Sequence, residues 1–304
     1  MTASAVMRLP YYYRKLRSRP TYYVMKVVGR FKTARALAPH LCNRGLVKPP
    51  LNRSSVFPAV DVATTVRRLE ADGLCPGIDL PSEIVTQIRA YARSQPCFGN
   101  KVPRYGFQYA KRQEAEALAG QAFVLGGYFN TEAGCPAISG LARDPKLWEI
   151  AEQYFGAVPR HIGSQLWWSF AAPRSEEEKN FYAQLYHYDL DGYAFLKFFF
   201  YLTGVDDESG PHVGVRGTHR RKILRHRMRY MRFSDAEVER CYGAENVTAM
   251  YGKAGTGFAE DTYCIHKGEP PTGRDRLILQ IQFGLHDYGV QHDRVDDSVL
   301  QYVL

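Results

Sequence analysis

The stretch from Phe195 to Thr203 (FLKFFFYLT) is apolar on both of the faces that a strand presents. A chain that contains it needs a sheet covered on both sides, with this strand near the middle. Ile162 to Phe170 (IGSQLWWSF) is a second strong strand, and Arg276 heads a third, LILQIQF over 277–283. Helical signals flank them: Asp61 to Asp72 stopping at Gly73, Pro81 to about Ser94, and Asp144 to Gly156 with Trp148, Ile150 and Ala151 turned inward. Cys97 to Gly140 is turn-rich and reads as short strands and loops that border a pocket. The expectation is a mainly β fold of sandwich type with flanking helices. Within the central strand, Lys197 falls on one face with Phe195, Phe199 and Tyr201. If that face lines a pocket, its ammonium meets a bound carboxylate; otherwise it snorkels to the rim.

His187 and Asp189 are two residues apart, so in a strand both leave the same face. His266 follows Asp189 by 77 residues, at the end of the apolar segment Phe258 to Ile265. Two imidazoles and one carboxylate can hold one face of a divalent metal and leave the opposite face open, the ligand set of non-haem Fe(II) sites. Zinc and manganese are alternatives, because affinity alone does not select iron. The structural alternative is a pair of hydrogen-bonded core histidines and an aspartate that caps a turn. Cys264 precedes His266 by two and could share its face, although a buried structural thiol is the better reading. His219 competes for the distal position, and a structural hydrogen bond suits it better, since it lies at a turn only 30 residues past Asp189. At Arg276 a guanidinium offers a two-pronged donor to a carboxylate, with Arg274 as its competitor.

His187-x-Asp189, then Ser209-Gly210-Pro211 and Arg216-Gly217-Thr218-His219, then His266 and Arg276, together resemble the phytanoyl-CoA dioxygenase-like Fe(II)/2-oxoglutarate-dependent oxygenases over roughly residues 60 to 290. The resemblance implies a double-stranded β-helix, the cupin-like jelly roll. It implies Fe(II) on His187, Asp189 and His266, with 2-oxoglutarate as cosubstrate and O₂ as oxidant. Arg276 would hold the far carboxylate of 2-oxoglutarate, and Lys197 is a second candidate for that contact. Related enzymes that halogenate lack the carboxylate ligand, so Asp189 points to hydroxylation, desaturation or ring formation. Some relatives hold the cosubstrate through a Ser after the distal His, where Lys267 stands here. A jelly roll that binds a metal without catalysing, and uses a basic arm to reach a membrane or partner, is the alternative function.

The chain carries a net charge of +9, unevenly spread. Residues 1–60 hold 12 Lys and Arg and no Asp or Glu, out of 40 and 31 in all, so the remainder is slightly acidic. The expected organisation is a basic, Tyr- and Arg-rich arm over 1–55, a jelly-roll domain over 56–290 and a tail over 291–304. The arm includes Tyr11-Tyr12-Tyr13 and one amphipathic helix over Thr21 to Leu37. Its simplest reading is packing of the rings on the domain with the charges in water; peripheral membrane contact comes second and nucleic acid a distant third. Residues 219–251 form a helical insertion, basic at Arg220, Arg221, Lys222, Arg225, Arg227, Arg229 and Arg232 and reopening as a helix at the capping box Ser234 to Glu237. As a lid it would suit an anionic, small or lipid-linked substrate; as a solvated helix it would pair with acidic neighbours. The six scattered cysteines do not form a disulfide framework and fit a reducing, cytoplasmic setting, with a membrane-peripheral one as the second choice. No apolar run approaches the ~20 residues of a membrane span.

Overall fold

The computed structural model describes residues 17, 19–42, 47–172, 185–228 and 232–304. Tyr11-Tyr12-Tyr13 of the arm, Ala183 and Gln184 before the His187 segment, and Arg229 of the insertion lie outside the described residues.

Two antiparallel sheets carry the fold. The larger has eight strands among the described residues: β1 (Leu74–Pro76), β2 (Cys97–Gly99), β3 (Gly106–Phe107), β4 (Leu125–Gly127), β5 (Arg160–Ser169), β6 (Phe195–Tyr201), β9 (Gly257–Glu260) and β11 (Arg276–Gly284), in the spatial order β1-β9-β6-β11-β5-β4-β2-β3. The smaller places β7 (His212–Val215) between β8 (Val247–Met250) and β10 (Ile265–Gly268). The apolar run of β6 lies inside the larger sheet, hydrogen-bonded to β9 and β11, as its two apolar faces require.

Alternation along the central strands assigns each face a task. Leu277, Leu279, Ile281 and Phe283 of β11 join Leu196, Phe198 and Phe200 of β6 in the main core. Helices Val62–Asp72 and Pro145–Phe155 cover that face through Leu69, Leu147, Trp148 and Ile150. The opposite face carries Arg276, Ile278 and Gln280 of β11 with Lys197 and Phe199 of β6, and looks into a cavity. The fold is a jelly roll with helices packed outside its larger sheet.

Several expectations change. The helix expected over Thr21 to Leu37 is two helices, Pro20–Val28 and Lys32–Cys42, broken at Gly29, where a glycine disfavours helix by about 1 kcal/mol. The break lets Met25 bury completely and brings Arg35 to Asp261 at 3.5 Å and over the Tyr263 ring at 4.0 Å. The described part of the arm thus packs on the domain beside the turn that precedes His266. Between Cys97 and Gly140, helices Arg112–Ala119 and Pro136–Ala142 stand where loops were expected; RQEAEALA is made of strong helix formers between turn residues. The segment leading to His266 is two strands rather than one, because Asp261 accepts from Tyr263 N–H at 3.0 Å and turns the chain from β9 in one sheet to β10 in the other. The insertion begins as short helices, but its end, β8, pairs with β7. The C-terminal residues are anchored: Gln301 N–H donates to the Pro103 carbonyl at 2.8 Å, and Asp293 is buried against Thr131.

Gly73 ends the Val62–Asp72 helix at φ 75°, and a Cβ there would come within 2.3 Å of Cys264 Sγ and 2.7 Å of His219 Nδ1. Gly73→Ala is therefore expected to cost about 3 kcal/mol from overpacking and left-handed strain together, read as a lower urea midpoint.

Candidate metal centre

The proximal and distal segments meet across an isolated bridge. His187 N–H donates to the His266 carbonyl at 2.9 Å, and His266 N–H returns the bond at 2.8 Å. Asp189 N–H donates to the carbonyl of Thr262, in the turn between β9 and β10, at 2.8 Å. The proximal pair therefore lies in a bridged loop and not in a regular strand. One nitrogen each from His187 and His266 and one Asp189 oxygen still lie within 4.8 Å of one another.

Each imidazole is fixed by a backbone carbonyl two residues before it. His187 Nδ1 is 2.9 Å from the Leu185 carbonyl, and His266 Nδ1 is 3.0 Å from that of Cys264. A carbonyl only accepts, so each Nδ1 carries the proton and each Nε2 keeps a free lone pair. These Nε2 atoms face the two oxygens of Asp189, at 3.8 Å for His187 and 3.7 Å for His266. Burial holds the His187 pKa well below the usual histidine range, the neighbouring His266 adding to the effect, and burial lowers His266 as well. Neutral rings with inward lone pairs beside a carboxylate are the donor set that a divalent cation needs, and the three residues fit one.

Lys197 lies deep in the cavity, but its ammonium is already engaged, 2.7 Å from Asp189 Oδ2 and 2.9 Å from Asp191 Oδ2. Burial opposes both charges. It is outweighed at Lys197 by the two carboxylates, which hold the ammonium above its usual range, and at Asp189 chiefly by that ammonium, which holds the carboxyl well below its own.

Arg276 enters the same cavity from the first position of β11 and is 5 % exposed. Its Nε and Nη1 are buried with no hydrogen-bond partner, and Nη2 has only a long 3.4 Å contact to Ser169 Oγ. A buried guanidinium without an acceptor is costly, and a carboxylate is the group that would satisfy it. Arg274 is exposed and bonded to Asp206 and Glu208, so of the two arginines only Arg276 lines this cavity.

The cavity holds about 270 Å³. Beyond Phe199, Trp167 and Ile278 its wall turns polar, with Gln165, Gln280 and Gln291. Lys101 stands there too, 2.7 Å from Gln165 Oε1 and 4.9 Å above the Trp167 ring. Asn100 and Lys101 both have left-handed backbones (φ 54° and 57°), and Asn100 Oδ1 anchors this bend by accepting from Val124 N–H at 2.8 Å. None of the described basic residues of the insertion lines the cavity. Lys222 instead donates to the Tyr263 carbonyl between the rings of Tyr188 and Tyr263.

Cys264 faces away from the centre, 3.5 Å from His219 Nδ1, and His219 also contacts the Glu70 carbonyl at 3.2 Å. Neither belongs to the ligand group. Lys267 also points away, with its ammonium at Asp235 and Glu269. The cysteines Cys75, Cys97, Cys135, Cys241 and Cys264 are free thiols.

Sequence reasoning missed three side chains at this centre. Asp191 follows Asp189 by two, a spacing that could have flagged it. His212 stacks on His266 with ring centroids 5.4 Å apart, and its Nε2 is 2.6 Å from Glu260 Oε2. Burial pushes the Glu260 carboxyl up to about 7 and the His212 imidazole down to about 3, so an uncharged acid donates to an uncharged ring. In the folded chain Glu260 keeps its proton up to about pH 7, while the unfolded chain loses it near 4.5. Stability of metal-free protein in EDTA is therefore expected to be greatest below pH 4.5 with respect to this group, and to fall by about 3 kcal/mol as pH rises to 7. Glu260→Gln should remove that slope in urea titrations at pH 5 and pH 8.

No protein-family model matches the chain, and no curated protein matches it. Solved structures do resemble it. The non-heme alpha-ketoglutarate-dependent carbocyclase SnoK from nogalamycin biosynthesis is 17 % identical, over 79 % of this chain and 91 % of that one, with a TM-score of 0.50. HygX from Streptomyces hygroscopicus, with nickel and 2-oxoglutarate bound, is 15 % identical over 74 % of this chain and 87 % of its own, with a TM-score of 0.49. The epimerase SnoN is 16 % identical over 76 % and 87 %, with a TM-score of 0.47. At these identities the likeness is one of fold, and with the two-sheet topology it defines the jelly roll.

Proposed function

We propose that the chain is a non-haem Fe(II)- and 2-oxoglutarate-dependent oxygenase that hydroxylates a C–H bond of a small polar molecule. The observation that carries this reading is one cavity holding two inward imidazole lone pairs and a carboxylate together with a buried guanidinium whose Nε and Nη1 have no hydrogen-bond partner. His187, Asp189 and His266 would hold the iron, and Arg276 beside Ser169 would bind the far carboxylate of 2-oxoglutarate. When bound, iron and 2-oxoglutarate supply the oxidation: a C–H substrate, 2-oxoglutarate and O₂ become the alcohol, succinate and CO₂.

The rest falls to the chain's own residues. The Leu185 and Cys264 carbonyls keep both imidazoles in the ligating tautomer. Phe199, Trp167 and Ile278 give the cavity an apolar stretch of wall. Gln165, Gln280, Gln291 and Lys101 offer amides and an ammonium where a fatty chain would need an apolar wall, which favours a hydroxyl- or carboxyl-bearing substrate over a lipid-linked one.

The test is a titration of 2-oxoglutarate into Fe(II)-loaded protein without oxygen, followed by succinate measurement on admitting O₂ with a panel of polar metabolites. Saturable binding, and succinate matched by product one oxygen atom heavier, are expected. No 2-oxoglutarate binding to metal-loaded protein would overturn the reading in favour of a non-catalytic metal-binding jelly roll.

A further inference from the structure

Asp189 offers two oxygens, and a metal could take one or both. The surrounding side chains make that choice. Lys197 Nζ sits 2.7 Å from Oδ2 and occupies it with a charged donor. A second cation cannot share that oxygen without meeting the ammonium, whereas Oδ1 has no such neighbour. Lys197 is itself only 6 % exposed, and a lone ammonium at that depth would be costly. Asp191 answers it from 2.9 Å. Asp191 is in turn fixed by Gln291 Nε2 at 2.6 Å from Oδ1 and by Gln282 Nε2 at 3.4 Å from Oδ2. The sequence order Asp189-x-Asp191 turns both carboxylates toward one ammonium on β6. The three charges sum to −1, which suits a divalent cation, whereas Asp189 and Lys197 alone would sum to zero.

We propose that Lys197 and Asp191 act as a positioning pair. Lys197 restricts Asp189 to one ligating oxygen, which keeps the remaining metal positions for the cosubstrate. Asp191 restores the negative charge that holds the metal. The proposal rests on the metal and 2-oxoglutarate reading above, and it recasts Lys197, a candidate cosubstrate ligand on sequence grounds, as a partner of Asp189.

The two residues touch each other, yet their loss should have opposite signatures. The experiment titrates Co(II) into the metal-free full chain without 2-oxoglutarate, records the visible absorption of the bound ion, and then adds 2-oxoglutarate. Asp191→Asn should weaken Co(II) binding about tenfold or more while the loaded protein keeps its 2-oxoglutarate affinity. Lys197→Met should bind Co(II) at least as tightly as the parent, with an altered absorption spectrum already present before 2-oxoglutarate is added. Its 2-oxoglutarate affinity should fall about tenfold or more. Lys197→Arg keeps the charge and should stay near the parent in Co(II) affinity, which guards against poor folding of the methionine variant. A residue that merely supports the fold would weaken both steps in both variants. A direct cosubstrate ligand at 197 would leave Co(II) affinity and spectrum unchanged before 2-oxoglutarate is added. Either pattern overturns the proposal. Failure of the parent protein to bind Co(II) would instead refute the metal reading on which it stands.

Discussion

Asp189→Ala is expected to abolish succinate formation and to weaken metal binding by at least about 100-fold, more than loss of a residue that only orients a ligand costs. Asp189 is the sole carboxylate in the ligand group, and its oxygens lie 3.8 and 3.7 Å from the two Nε2 atoms. Two neutral imidazoles would remain beside the Lys197 ammonium, an electrostatic environment hostile to a divalent cation. The fold should survive, because Lys197 keeps Asp191 as a buried partner at 2.9 Å. Calorimetric metal titration and thermal melting of metal-free protein separate the two effects. A variant that still binds metal at parental affinity and turns over would show that Asp189 is not a ligand.

Arg276→Met is expected to raise the 2-oxoglutarate concentration needed for half-saturation by about 100-fold or more, the loss of two charge-assisted hydrogen bonds at about 1.5–3 kcal/mol each. Turnover at saturating cosubstrate should be largely kept, because the guanidinium would grip the end of 2-oxoglutarate that does not react. Methionine keeps the aliphatic volume, so little cavity is opened. Stability gives an independent check. Arg276 Nε and Nη1 are buried without partners, so removing the charge should leave the cosubstrate-free protein at least as stable as the parent. An arginine that held the fold together would instead lower the urea midpoint. An unchanged 2-oxoglutarate requirement would take Arg276 out of the binding role.

His187, Asp189, His266 and Arg276 could be named from spacing and from an expected extended backbone, although the proximal pair proves to lie in a bridged loop, and the structure brings all four to one cavity. The central strand β6 was legible for the same reason, since a run apolar on both faces has few places to go. Lys197 was half legible. Its face was readable from alternation, but its partner depended on a bridge between segments that no local pattern encodes. His212 and Glu260 were not legible as a pair. They meet because β7 and β9 lie in different sheets that close on each other, and sequence spacing carries no information about that closure. The helix Arg112–Ala119 was hidden by the glycines around it, and the break at Gly29 by an amphipathic pattern that continues through it.

The bridge between His187 and His266 has a consequence beyond chemistry. It joins backbone segments whose numbers differ by 79, so an ion held there would act as a staple across the seam of the barrel. Ligand present at 100 times its Kd adds about 2.7 kcal/mol to the folded state by mass action. The loaded chain should resist proteases that clip the metal-free one, and metal supply would then govern how long each molecule lasts as well as how fast it works.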